Sequence, residues 1–441
     1  MLRSDAEFSF RKYAWKQFKR NKAAYWSYRI LVAFVVIALL APVIANQKPL
    51  YCKYKGQTLF PAFSFKTQFD VKDPQTGAVE TLKYDLIDDW KMMELSSVWW
   101  APVPYSPGKS DFDNLRVGPF DQQVLKKKNG DLIKMPRRFR HLMGTTRNGA
   151  DVLAGVVHGF RYSLSIGILS MLIAGFIGLL LGSLAGYYGD KRLQTPRGTF
   201  WFTSIGVLAA FFYGFFVRSG NLRDSFAEGG FSIVFNLLLS FVIFAAVIWV
   251  FRSIGNLVSK RGFLSRQVSV PVDSIISRFI EILNSLPYFI LIISISAISK
   301  PSFTTLVMII GLTTWTGIAR FTRAEFLRIT ALDYIQAGKS MGLPEKRIIF
   351  RHALPNGIAP SLISIAFGIA SAILTESSLS FLGVGVPPDT VTWGSILSEA
   401  RESFSSWWLV IFPGVAIFVT VLMYNLIGEG LRDALDPRLK K

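Results

Sequence analysis

The sequence predicts an all-α polytopic membrane protein. Of its 441 residues, 51% are hydrophobic and 14% are aromatic, which fits a membrane protein better than a soluble enzyme. Apolar runs long enough to cross a hydrocarbon core of about 30 Å recur along the chain. The formal net charge of +20 is carried by short segments that flank these runs, as in the positive-inside pattern. A lipid membrane is therefore the expected partner, and no nucleic acid is expected.

The first transmembrane helix is predicted over residues 28–45, behind a basic cytoplasmic N-terminal segment of residues 1–27. A cleaved signal peptide is the alternative, because Val43-Ile44-Ala45 resembles a small-residue cleavage site. The basic region is long for a signal peptide, and the apolar run exceeds a typical signal core. We therefore interpret residues 28–45 as a retained span whose N-terminus lies in the cytoplasm.

Residues 46–160 contain no spanning run and are predicted to form a small extracytoplasmic domain. Prolines, mixed charges and aromatic pairs such as Trp99-Trp100 are spread through the region, and alternation from Tyr51 to Phe65 predicts strands. Its lysines are compatible with this side of the membrane because long loops translocate largely regardless of charge. The single cysteine, Cys52, excludes an intramolecular disulfide and leaves an intermolecular one open.

Residues 161–428 form the predicted transmembrane domain, and its first span, 162–188, carries a ladder of small residues. The ladder occupies every fourth position along one helix face: Ser170, Ala174, Gly178, Gly182 and Gly186. Small residues at this spacing let two helices approach closely. The ladder serves either packing around a pore or an ordinary contact within the chain.

An extra helix pair is predicted at 200–251, from apolar runs at 200–217 and 231–251. Basic residues precede and follow this pair, so both of its outer ends are placed in the cytoplasm. A later span is predicted at 279–298, where Pro287 kinks or breaks the helix. With a cytoplasmic tail at 429–441, the prediction is eight spans with both termini in the cytoplasm; the remaining three spans are 303–319, 358–375 and 407–427.

The segment between the spans at 303–319 and 358–375 is short, basic and amphipathic. We call its residues 333–356 the coupling segment, within predicted cytoplasmic helices at 331–356. Gly342 is suited to the left-handed conformation that ends a helix, and Pro344 suits the first turn of the next. Pro355 is expected to end that second helix. These signals predict a helix–turn–helix at the membrane surface.

The coupling segment resembles the EAA loop of ABC-importer permeases. The matching passages are Gln336-Ala337-Gly338, Gly342 and His352-Ala353-Leu354-Pro355, although Gln336 replaces a glutamate and Gly338 replaces an alanine. In that family the loop docks into a groove on the ATPase subunit. The resemblance implies an ATPase-coupling role for Gln336, Ala337, Gly338, Gly342, His352, Leu354 and Pro355.

Passages beyond this loop resemble the C-type permease of peptide/nickel (Dpp/Opp) importers, with features of the Yej branch for oligopeptides and microcin C. The motif at 142–153 and the block at 425–438 are similar, although Thr146 and Ala150 replace the family's charged residues. The short passages at 45–50 and 100–103 carry the Yej likeness. The resemblance implies a type I ABC importer transmembrane fold in the bacterial inner membrane, with an inserted extracytoplasmic domain. It also implies a homologous B-type permease, two ABC ATPase subunits and a solute-binding protein as partners.

No catalytic, cofactor or metal site is predicted in this chain. Gly338-Lys339-Ser340 imitates the end of a phosphate-binding loop, but Asp333 stands where that loop requires glycine. The histidines are scattered without metal-ligand spacing, so ATP and Mg are expected on the partner ATPase subunits. Asp273, Arg278 and Glu281 are expected to form a cytoplasmic ion-pair cluster.

Two further residues are candidates for the translocation path. Glu376 lies at the outer end of a predicted span, where either the substrate path or a structural hydrogen bond would explain a carboxylate. Pro287 marks the predicted break in another span.

The favoured function is an ATP-driven permease that passes peptides or peptide-like solutes from a solute-binding protein into the cytoplasm. The alternatives are a lone channel or secondary transporter, and a membrane-embedded enzyme with an extracytoplasmic sensory domain. The enzyme alternative lacks paired carboxylates or a nucleophile–base arrangement within the spans, and the channel alternative gives no reason for the coupling segment.

Overall fold

The computed structural model describes residues 10–64, 68–72, 79–83, 87, 90–93, 95–126, 131–228, 231–260, 262–402 and 405–435. Helices dominate these residues. They are α1 (Phe10–Arg20), α2 (Lys22–Ile44), α3 (Val152–Tyr188), α4 (Arg197–Phe211), α5 (Ser219–Glu228), α6 (Phe231–Val258), α7 (Val272–Ser285), α8 (Tyr288–Ile298), α9 (Phe303–Ile329), α10 (Asp333–Ser340), α11 (Glu345–Arg347), α12 (Leu354–Gly357), α13 (Ala359–Phe381), α14 (Trp393–Glu399) and α15 (Trp408–Leu435).

Seven helices in the described part of the chain are long and apolar enough to cross a membrane: α2, α3, α4 with its π-helical continuation Phe212–Phe216, α6, α9, α13 and α15. α7 and α8 pass the same test together but are bent by 79° at the break between them. Counting this bent pair as one span gives eight, the predicted number. Pro287 is the residue directly before α8, so the predicted break at this proline is confirmed.

The chain forms two compact units. The first unit contains Met1–Ser27, Ile166–Thr375 and Tyr424–Lys441. The second unit contains Tyr28–Ser165 and Glu376–Met423.

In the first unit the glycine ladder of α3 packs against α9 of the same chain. A Cβ added at Gly182 would lie 2.5 Å from the Ala319 carbonyl oxygen and 2.6 Å from the Thr322 Cβ. One added at Gly186 would lie 2.6 Å from the Arg323 carbonyl oxygen. The ladder therefore makes an intrachain contact, as one of its two interpretations predicts, because only glycine lets these backbones come so close.

A two-stranded antiparallel ribbon joins the two ends of the extra helix pair. β8 (Gln194–Pro196) pairs antiparallel with β9 (Gln267–Ser269), on either side of α4, α5 and α6. The predicted pair is present, but α6 continues to Val258, beyond the predicted end of the run at 251. Hydropathy marks where a helix stops being apolar, whereas its hydrogen bonds continue through polar residues.

Asp273 pairs with Arg323 of α9, and the Nη2 of Arg323 donates to Asp273 Oδ2 over 2.6 Å. Arg278 and Glu281 form their own exposed pair at 2.7 Å. The prediction of a single cluster of these three residues is therefore wrong. Asp273 pairs with Arg323, fifty residues along the chain, and not with Arg278 or Glu281.

In the second unit, the described residues of the 46–160 region form short antiparallel strands around a small core. β1 (Tyr51–Tyr54) lies between β2 (Gln57–Leu59) and β5 (Ser97–Trp99); the other pairs are β3 (Gln68–Lys72) with β4 (Val79–Lys83) and β6 (Val124–Lys126) with β7 (Leu132–Lys134). The core contains Cys52, Leu59, Val71, Trp90 and Trp100. Burial raises the pKa of the Cys52 thiol to about 11, so this cysteine is poorly placed for an intermolecular disulfide.

This region is joined to helices of its own unit at several points. The amide of Val103 donates to the Ile44 carbonyl over 2.9 Å, and Trp408 Nε1 donates to the Thr145 carbonyl over 3.0 Å. α3 begins at Val152, inside the region predicted to be extracytoplasmic. The boundaries of a separate domain at 46–160 therefore stay a prediction.

Candidate functional site

The coupling segment consists of two helical stretches joined by a tight turn. α10 is followed by the turn, then by α11, a π-helical turn (Ile348–Ala353) and α12. Gly342 has φ +74°, its amide donates to the Lys339 carbonyl over 2.9 Å, and the Leu343 amide donates to the Gly338 carbonyl over 3.1 Å. These two bonds form a Schellman motif, which requires a left-handed residue at its centre. The predicted role of Gly342 in the turn is confirmed.

Pro355 does not end the second helical stretch as predicted. It lies in the first turn of α12, after the π-helical turn. The backbone is helical on both sides of this proline, and the Leu354 amide bonds to the Ile349 carbonyl across the π-helical turn. The prediction was wrong because the helical backbone continues through the wider π-helical turn to the proline.

The inward face of the coupling segment is an apolar core shared with two spans. Its buried residues come from the segment itself, from the end of α9 and from the end of α3. They are Ile335, Ile348, Ile349, Ala353, Phe326, Ile329 and Tyr187. The segment is therefore packed directly against α3 and α9, and close-packed interiors transmit strain.

The outward face of the coupling segment combines exposed apolar side chains with cations; we call it the docking face. Met341 is 73% exposed, and Phe350 and Tyr334 are 55% and 44% exposed. Three exposed cations lie in the same segment: Lys346, Arg347 and Arg351. Large apolar groups that remain uncovered beside charged residues are typical of a protein-binding surface.

The structure explains one departure from the EAA pattern. Gln336 Nε2 donates to the Thr330 carbonyl over 2.7 Å, a bond that a glutamate carboxylate cannot make. Gly338 has no such explanation, because an added Cβ would meet Leu343 at an ordinary contact distance of 3.4 Å. The other predicted coupling residues are an exposed Ala337 and half-buried His352 and Leu354.

A cleft of about 450 Å³ lies beside the coupling segment at the end of α3. Two cations approach one aromatic ring there: the Arg192 guanidinium lies 5.5 Å, and the Lys339 ammonium 5.2 Å, from the Tyr187 ring centroid. Tyr188 donates its hydroxyl to Glu345 over 2.9 Å, which ties α3 to α11 directly.

Glu376 is fully buried among hydroxyl groups in the second unit. Its carboxylate accepts from Ser163 over 3.1 Å and from Ser380 over 2.9 Å. These contacts match the structural hydrogen-bond interpretation. A place on the translocation path stays a prediction for Glu376, and also for Pro287, which is exposed at the bend between α7 and α8.

A buried network around His141 was not predicted from the sequence. Its Nδ1 lies 2.8 Å from Asp151 and its Nε2 lies 3.1 Å from Asp111. Burial alone would lower the pKa of His141, but the hydrogen bonds and charges of both aspartates raise it. Burial would raise the pKa of Asp111, but hydrogen bonds from His141 and Asn114 lower it. The only sequence signal is Asp151 directly before α3, where a carboxylate accepts the amide of Ala154 as a helix cap.

Two families match the chain. Residues 261–441 match the family described as binding-protein-dependent transport system inner membrane component. Residues 9–61 match the N-terminal TM domain of oligopeptide transport permease C.

Relatives match most or nearly all of the chain. The inner membrane ABC transporter permease protein YejE of Escherichia coli is 28% identical over 428 residues, covering 96% of each chain. The peptidoglycan transport system permease protein YejE of Agrobacterium fabrum is 25% identical, covering 97% of this chain and 93% of its own. The dipeptide transport system permease protein DppC of Alkalihalophilus pseudofirmus is 33% identical, covering 68% and 73%.

The family matches lie at both ends of the chain, and the match at 261–441 contains the whole coupling segment, α13 and α15. The relatives add coverage of the region between the two matches. The chain therefore belongs to the binding-protein-dependent permease family, as a membrane-spanning C-type permease subunit of an ABC importer rather than an enzyme.

Proposed function

We propose that this permease carries peptides or peptide-like solutes into the cytoplasm of a bacterial cell. It would pair with a homologous B-type permease, two ABC ATPase subunits and a solute-binding protein. The names of the relatives, which refer to peptide, dipeptide and peptidoglycan transport, support this cargo class. The coupling segment carries the proposal, because its docking face is open while its inward face is packed on two spans.

The proposed mechanism converts closure of the ATPase dimer into movement of the spans. The ATPase subunits, which would hold ATP and Mg, would press on the docking face through Met341 and Phe350. The apolar core beneath transmits this displacement to Tyr187 on α3 and Phe326 on α9. The pore then alternates between outward and inward access, with ATP binding shifting the population between two states.

Contacts within the first unit support an inner-membrane topology with both termini in the cytoplasm. Asn21, between α1 and α2, donates to Asp433 near the end of α15 over 3.1 Å. Phe18, Ala24 and Ala434 form a buried cluster there. The two terminal helices thus meet on one side, and their basic residues favour the cytoplasm for that side.

Purification of the tagged chain from membranes in gentle detergent tests this proposal. We expect a second permease and ATPase subunits to co-purify, with vanadate-sensitive ATPase activity, and cells to take up labelled oligopeptides only when the chain is present. Met341→Asp should abolish recovery of the ATPase subunits. Phe112→Asp, at a residue that is 78% exposed in the second unit, should not. A wild-type chain that purifies alone, without ATPase activity, would refute the proposal.

A further inference from the structure

The cleft beside the coupling segment contains two cations, Arg192 and Lys339, and one carboxylate, Glu345, which forms an ion pair with neither of them. Arg192 Nη1 donates to the Tyr187 carbonyl over 2.6 Å, which leaves the other guanidinium donors available. Within the described part of the chain, neither Arg192 nor Lys339 has a carboxylate oxygen within 4.0 Å. The nearby Glu345 accepts a hydrogen bond from Tyr188 instead.

The two cations of the cleft, Arg192 and Lys339, repel each other. Burial lowers the pKa of Lys339, and the charge of Arg192 lowers it further, while Glu345 acts in the opposite direction. Both cations also lie against the same Tyr187 ring. An anion entering the cleft would interact favourably with both cations at once, and two cations bind an oxyanion more firmly than one.

We propose that this cleft receives a carboxylate side chain of the ATPase subunit that docks on the coupling segment. This inference rests on the proposed function, because it identifies the chemistry by which the partner is recognised. The cleft is lined by the segment itself, through Gln336, Lys339 and Glu345, and the exposed Gln336 and Glu345 lie where a partner bound to the segment can contact them. Its volume of about 450 Å³ is large enough for the end of one acidic side chain.

The uncharged Gln336 fits this assignment. Gln336 lines the cleft, and a glutamate at this position would neutralise part of the charge from within the chain. The glutamine adds no negative charge, so both cations stay available to the partner, and its amide donates to the Thr330 carbonyl. The exposed cations of the segment extend the same positive charge over the docking face. Recognition therefore depends on an acidic partner surface, and complementary charge favours one partner over others.

Carbodiimide cross-linking of the purified complex tests the contact. This reagent joins an amine to a carboxylate that touches it. We expect mass spectrometry to find Lys339 joined to an aspartate or glutamate of the ATPase subunit. Lys339→Arg keeps the charge but removes the reactive amine, so this variant should assemble normally and lose the cross-link. A Lys339 joined only to its own chain, or not at all, would overturn the proposal.

Affinity measurements test the charge requirement. The double variant Arg192→Gln/Lys339→Gln should bind the ATPase subunit about tenfold more weakly at low salt, with a flatter salt dependence. Lys134→Gln, at an exposed cation of the second unit and outside the coupling segment, is the control and should change binding less than twofold. Equal thermal stability of all variants in detergent separates binding from folding. Wild-type binding by the double variant overturns this inference alone, whereas a wild-type chain without ATPase subunits overturns the proposed function.

Discussion

Gly342→Ala should weaken the coupling of ATP hydrolysis to uptake, by an amount that follows from the backbone conformation of Gly342. No atom outside the adjacent residues lies within 4 Å of the position that a Cβ would take at Gly342, so the substitution causes no steric clash. The cost comes from φ +74°, a left-handed conformation that is roughly 1–2 kcal/mol less favourable for an L-residue. The population of the docking-competent turn should therefore fall about 5- to 30-fold.

The assay is ATP-driven peptide uptake with recovery of the ATPase subunits from the same membranes. Gly342→Asn should lose less than Gly342→Ala, because asparagine tolerates the left-handed conformation better, and Gly342→Asp should uncouple ATP hydrolysis from uptake or abolish assembly. Gly383→Ala is the matched control: its φ is +83° with no atom within 4 Å, but it lies outside the coupling segment. Unchanged uptake and ATPase recovery in Gly342→Ala would refute the docking role of this turn.

Three further predictions concern stability and modularity. Gly182→Ala should lower the free energy of unfolding in detergent by about 1–3 kcal/mol, measured by thermal unfolding, because its Cβ would lie 2.5 Å from the Ala319 carbonyl oxygen. The folded-state pKa of His141 is raised and that of Asp111 is lowered, so their pairing stabilises the fold fully between about pH 4 and about pH 6.5, and this contribution is lost as the pH rises through the folded pKa of His141 or falls through that of Asp111. His141→Gln should remove that pH dependence from melting curves. Replacing residues 197–266 by a short turn should leave membrane insertion and ATPase recovery intact, because β8 and β9 already hold the ends of that insert together.

Each of these predictions has a result that contradicts it. Gly414→Ala, where no atom lies within 4 Å of the added Cβ, should be close to neutral; a similar loss there and at Gly182 would remove the packing argument. Identical pH profiles for wild type and His141→Gln would show that the network contributes nothing to stability. Loss of ATPase recovery after excision of 197–266 would mean that the insert supports the coupling segment.

Sequence patterns identified those features that depend on nearby residues. The spans were predictable because the length of an apolar run is a local property, and the break at Pro287 because proline removes a helix hydrogen bond. Gly342 was predictable because few other residues adopt its conformation in a helix-ending turn. The ends of the helices were predicted less well, since α6 and α3 extend past their apolar runs.

Features that depend on distant residues were not predictable from local patterns. Asp273 contacts Arg323, and His141 contacts two aspartates, only in the folded chain. The same holds for the ribbon that pairs β8 with β9 across the whole insert. The cleft beside the coupling segment is a further case, because Arg192 and Lys339 share one tyrosine ring although they are far apart in sequence.

The glycine ladder has a mechanical consequence. Between α3 and α9, Gly182 and Gly186 face backbone and Cβ atoms, which a rotamer change does not move, so no rotamer change can absorb sliding of one helix along the other. α9 leads into α10, and α3 ends at the tyrosines that contact the core and Glu345 of the coupling segment. We therefore expect the two spans to move as one rigid unit, which is connected to the coupling segment through both α3 and α9. A push at the coupling segment should tilt both together in a single step, because well-packed interfaces switch between discrete arrangements instead of deforming gradually.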